Sequence, residues 1–122
     1  MRAALAIASI ALLLTGCSAQ DRAALSFSSM STDDHLRCAA QISGYDQLLR
    51  DGQLDPLPDG SGDRLVGLMT HLNAYSVPQD IREADAFDAL NELRDKVLAA
   101  ESPEAIRSAA SVCIEQAVQA LA

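Results

Sequence analysis

From Ser31 to the C-terminus the apolar residues return every three or four positions, and no stretch of useful length alternates apolar and polar in twos. That spacing stacks side chains along one face of a helix and leaves nothing to line a sheet. The apolar content is mostly Ala and Leu, both strong helix formers, and the aromatic rings are confined to Phe27, Tyr45, Tyr75 and Phe87. The expected fold class is all-α: a small antiparallel four-helix bundle.

Turn residues divide the pattern. A first helix is expected from Thr32 to Asp51, opened by Ser31-Thr32-Asp33-Asp34 and ended by Gly52. Leu36, Ala39, Ala40, Ile42, Tyr45, Leu48 and Leu49 fall on one face, with Cys38 at its edge. The run 51–62 (DGQLDPLPDGSG) reads as a loop. A second helix opens at Ser61, a candidate cap, and carries Leu65, Leu68, Met69, Leu72 and Tyr75. A third is expected from Pro78 to Ala100, with Ile81, Ala84, Phe87, Leu90, Leu93 or Arg94, and Val97 in a near-heptad row. Its other face is charged through Asp80, Glu83, Asp88, Glu92 and Asp95. Ser102-Pro103-Glu104 starts the fourth, which runs to the end of the chain. That helix is polar only along Arg107 or Ser108, Ser111, Glu115 and Gln119. Such a helix either sits inside its bundle or leaves a flank uncovered, so Ile106, Ala110, Ile114, Val118 and Leu121 form a candidate partner-binding face.

The N-terminus has a different character. Met1-Arg2 is basic, and residues 3–14 (AALAIASIALLL) are all small or apolar. The run is too short for a membrane-spanning helix of about 20 residues, but suits the hydrophobic region of an export signal. Leu14-Thr15-Gly16-Cys17 then resembles the lipobox of bacterial lipoproteins. The resemblance implies cleavage before Cys17, which would carry a thioether-linked diacylglycerol and an N-acyl chain, enough buried methylene to hold a small domain on a membrane. It also implies that Ser18, rather than Asp, after Cys17 favours the periplasmic face of the outer membrane. Ordinary cleavage near Ala19 would instead leave a soluble periplasmic protein. The domain plan is a signal peptide over 1–16, lipidated Cys17 and a Ser-rich tether to residue 31, and a helical domain over 32–122.

With Cys17 taken by lipid, Cys38 and Cys113 remain. In an oxidising compartment two remaining cysteines usually pair, so a disulfide between the first and last helices is expected. Two such distant thiols suit neither a CxxC redox centre nor a metal site.

Other constellations are weak. Asp59-Gly60-Ser61-Gly62-Asp63 opens like a calcium loop, but Arg64 and Thr70 stand where Gly and a bidentate Glu belong. His35, beside two Asp in a first turn, reads as exposed, and His71 as a polar-edge residue; neither has HxxxH spacing. No GxSxG or phosphate-binding Gly motif occurs, and no catalytic residue, metal ligand or cofactor beyond the lipid is expected. The chain has 17 acidic and 9 basic residues, Arg2 among the latter, so residues 18–122 are about nine charges negative. That balance repels phosphate backbones and argues against nucleic acid as a partner.

In size, compartment and cysteine number the mature part is similar to small periplasmic acid-stress chaperones and to helical inhibitor or immunity proteins, an architectural likeness that transfers no residue. The leading expectation is a non-enzymatic, lipid-anchored module binding another envelope protein. The alternatives are an acid-responsive chaperone or inhibitor-type protein and, last, an enzyme acting on the cell wall.

Overall fold

The computed structural model describes residues 26–56 and 61–122. The expected signal, Cys17, Ser18, most of the expected tether and the first two residues of the candidate calcium loop, 59 and 60, lie outside these. Among the described residues there are four α-helices, α1 (Thr32–Arg50), α2 (Ser61–Ser76), α3 (Glu83–Ala100) and α4 (Pro103–Ala120), with short 3-10 turns at Phe27–Ser29 and Val77–Gln79 and no strand. The all-α four-helix architecture is as expected.

Local chemistry accounts for the helix ends. At the start of α1 the Ser31 Oγ accepts from the Asp34 N–H at 3.1 Å, while Asp34 Oδ2 accepts from the Ser31 N–H at 3.0 Å. Two otherwise orphaned donors are thereby satisfied. At its other end Gly52 takes a left-handed φ of 72°. The Gln53 N–H then reaches Leu48 O and the Gly52 N–H reaches Leu49 O, closing the last turn. Ser102 caps α4 through its Oγ, 3.2 Å from the Ala105 N–H, with Pro103 in the first turn.

The third helix departs from expectation. It begins at Glu83, not Pro78, because residues 77–81 finish α2 instead. Asp80 adopts φ 54°, the Ile81 N–H bonds to Ser76 O and the Asp80 N–H to Val77 O, the same paired closure that Gly52 makes. Gln79 Nε2 donates to Tyr75 O at 2.7 Å, satisfying a further carbonyl. The phase of α3 shifts accordingly. Ala86, Leu90 and Val97 point inward, Phe87 and Leu93 are half-buried, and Ala84 is exposed.

The centre of the bundle is α1, which packs on all three other helices and buries nine of its residues. His35 lies opposite His71 and Asp46 opposite Arg64, so α2 runs antiparallel to α1. Cys38 meets Cys113 and Gly44 meets Ile106, so α4 does too. Small residues let the backbones close in: Ala39, Ala40, Ala110 and Ala117 have no exposed surface. A Cβ on Gly67 would stand 3.3 Å from the Ile114 Cα, so α2 rests almost directly on the backbone of α4. Tyr45, Ile42, Leu72 and Ile106 supply the bulk. Ile42, Leu72 and Ile106 each contribute roughly 1.5–3 kcal/mol by leaving water.

The ordered bundle reaches further back than residue 32. Phe27 packs on His35 and His71, and its turn also touches α4, so residues 26–31 belong to the domain rather than to the tether.

A buried imidazole pair beside the disulfide

Where the first turns of α1 meet the last turns of α2, two histidines face each other. His35 Nδ1 and His71 Nδ1 are 2.9 Å apart, and both residues are buried, at 5% and 0% exposure. The expectation of an exposed His35 and a polar-edge His71 is therefore overturned. Each sits on the apolar stripe of its helix, His35 one turn before Ala39 and His71 between Leu68 and Tyr75. Burial leaves an imidazole one option, which is to find polar partners inside.

The hydrogen-bond network assigns the tautomers. His71 Nε2 is 2.7 Å from the Cys113 carbonyl oxygen, which can only accept, so Nε2 carries the proton. The neutral ring then offers a lone pair at Nδ1. His35 Nδ1 must donate to it. Phe27 covers the pair, its ring centroid 4.4 Å from that of His35 and 5.1 Å from that of His71.

This setting holds both rings neutral. Burial pushes the His71 pKa down from 6.5 to about 4, with the charge of His35 adding to the drop and the bond to Cys113 opposing it. His35 is lowered too, again chiefly by burial, against the opposing pull of Asp34 and the Phe27 backbone. The cause is the cost of placing an imidazolium away from water.

The disulfide forms the floor of this cluster. Cys38 and Cys113 are bonded, with Cα atoms 5.4 Å apart and a separation of 75 positions in sequence. Through the Cys113 carbonyl the staple and the imidazole pair share a residue. Gln116, one turn further along α4, brings Oε1 to 3.7 Å from Cys38 Sγ. A disulfide sulfur has no proton to donate, so this is packing rather than a hydrogen bond.

The candidate partner face does not survive as a face. Ile106, Ala110 and Ile114 are at 1%, 0% and 2% exposure, inside the core, and only Val118 and Leu121 reach solvent, at 39% and 63%. Helix α4 is apolar on several sides because α1 and α2 both pack on it, and the excess of Ala and Ile is spent there.

The pair is not arranged around a metal. Two nitrogens bound to one tetrahedral zinc at about 2.0–2.1 Å each would stand farther apart than the 2.9 Å seen, which is a hydrogen-bond length. Among the described residues no three His, Cys, Asp or Glu side chains gather as metal ligands, and no helix is long and apolar enough to cross a membrane. A small surface depression lies elsewhere, lined by Ile42, Ser43, Asp46, Arg64, Leu65 and Leu68. In it the Arg64 guanidinium lies 5.9 Å from the Tyr45 ring centroid, and its Nε is 3.6 Å from Asp46 Oδ1.

Fold and cluster together define a disulfide-stapled helical domain with a polar core at one end. Compared with family models, curated proteins and solved structures, the chain matches none.

Proposed function

We propose that this chain is a non-enzymatic module of the bacterial cell envelope, lipid-anchored through Cys17 and acting by binding another envelope protein. One observation carries the non-catalytic part of that reading. Both imidazoles and two of the three cysteines, the groups best suited to nucleophilic or acid–base chemistry, are engaged with one another inside the bundle. The anchor rests on the lipobox resemblance at Leu14-Thr15-Gly16-Cys17. Crosslinking in intact cells followed by affinity purification tests the binding. One defined partner, recovered with the wild type and lost with Cys17→Ser, supports it. A chain that crosslinks to nothing above background refutes it.

The imidazole pair favours a second reading, an acid-responsive chaperone, because a core held by two neutral histidines weakens as they charge. Hydrophobic-dye binding that appears on acidification, together with suppression of client aggregation at the same pH, supports this alternative. A bundle that stays dye-silent at about pH 3 removes it.

A further inference from the structure

The cluster that holds the bundle closed at one end also holds the Phe27–Ser29 turn, and its proton count constrains what acid can do there. In the neutral state two N–H groups serve the pair: His35 Nδ1–H bonds to His71 Nδ1, and His71 Nε2–H bonds to the Cys113 carbonyl. A proton added to His71 has only Nδ1 to occupy. It would then point at the His35 Nδ1–H, and the 2.9 Å bond becomes a contact between two donors. No tautomer of two imidazolium rings restores it.

The surroundings offer little compensation. From α1 the carboxylate acting on His35 is Asp34, already committed to the Ser31 N–H. Helix α2 contributes His71 itself. Helix α4 contributes the Cys113 carbonyl, the disulfide and the neutral amide of Gln116. The charged group that the end of α3 brings against α1, Glu101, is bound by Arg37 and Gln41. The Phe27–Ser29 turn has no ionisable side chain and lays an apolar ring over both histidines; its Phe27 backbone hydrogen-bonds His35, which favours a charge on that ring but offers nothing to a second charge on His71. Two charged rings must therefore separate or reach water.

The elements around them are unequally held. Helices α1 and α4 are joined covalently by Cys38–Cys113 beside the pair, and α2 is seated by Leu72 and Gly67 in the core. The Phe27–Ser29 turn closes with two backbone hydrogen bonds and buries no residue of its own. Such a segment has the lowest cost of opening. We propose that His35 and His71 form an acid-operated latch on this turn: protonation of the pair frees Phe27 and the segment leading to residues 1–25, while the four stapled helices stay closed. The inference depends neither on the anchor nor on the partner. It differs from the chaperone reading in keeping the bundle shut.

The chain contains no Trp, so Phe27→Trp introduces a single reporter on the pair. In the purified full-length chain in mild detergent, disulfide intact, its emission is expected to be blue-shifted at neutral pH. It should shift red as pH falls through about 4, with unchanged far-UV helicity. Adding His35→Gln gives His71 a neighbour whose amide both donates and accepts, so the proton on His71 Nδ1 keeps a partner and the red shift is suppressed. Emission that stays blue to about pH 3, or an identical midpoint in both variants, overturns the latch. Ring nitrogen shifts of the unaltered chain give a check needing no substitution. The latch requires a Nδ1–H His35, a Nε2–H His71 and depressed titration of His71 together with a change at the Phe27 ring protons. Two rings titrating independently near the ordinary histidine value contradict it.

Discussion

Replacing Cys38 and Cys113 together by Ala removes a crosslink that closes 75 residues of a domain described from residue 26 to 122. In the chain-entropy account a loop of that length restrains the unfolded chain by about 4.5 kcal/mol at room temperature. Packing adds to this, because both residues are buried, at 7% and 6% exposure, and each Ala lacks the sulfur that touched its neighbours. For a domain of this size about 1 kcal/mol moves the melting temperature by roughly 4–8 °C. The double variant should therefore melt about 20 °C or more below the wild type under non-reducing conditions. Because most of the loss arises in the unfolded chain, its native far-UV spectrum at low temperature should match the wild type. Thermal and urea unfolding followed by circular dichroism measure both quantities. A fall of less than about 5 °C, or wild type melting identically with and without reductant, would refute the assignment of the disulfide as the main restraint.

Three further outcomes follow from named contacts. The contribution of His71 to stability should be lost as pH falls from about 6.5 to about 4, since His71 stays neutral in the fold to about 4 and charges near 6.5 once unfolded. That shift corresponds to about 3 kcal/mol, present in full above the unfolded value, and a urea-stability profile flat across that window would contradict it. Gly67→Ala should destabilise by about 1–3 kcal/mol, since its Cβ meets Ile42 Cδ1 at 3.2 Å and the Ile114 Cα at 3.3 Å, whereas Gly44→Ala, with nearest atoms at 3.6 Å, should be neutral or gain up to about 1 kcal/mol. Chemical denaturation separates the two, and equal effects would mean that α2 and α4 do not approach as described. Finally, Leu121→Asp should leave the melting temperature within about 3 °C of wild type, while Ile114→Asp should prevent folding, as expected if only the first faces water.

Much of the fold was legible because its determinants are local. Ser31, Gly52 and Ser102-Pro103 mark helix ends through bonds made within a few residues, and all three work where the sequence places them. The Cys38–Cys113 pairing followed from counting, not from geometry. The start of α3 was misplaced because Pro78 suits a first helical turn, whereas the closure of α2 depends on Asp80 in a left-handed conformation more often taken by Gly. The imidazole pair was missed for a different reason. His35 follows two aspartates, a local sign of exposure, and its partner lies 36 residues away, so no window of sequence contains the site. A usable signal existed in the placement of both histidines on apolar stripes. The partner face failed because periodicity identifies an apolar flank without counting the neighbours that cover it, and α4 has α1 and α2 against it.

The intact mass of the protein extracted from membranes, before and after reduction, tests the proposed anchored and stapled module most directly. A mass equal to residues 17–122 plus a diacylglyceryl group and one further acyl chain, rising by two hydrogens on reduction, is the predicted result. A lipid-free mass beginning after Cys17, or a mass that reduction leaves unchanged, would contradict it.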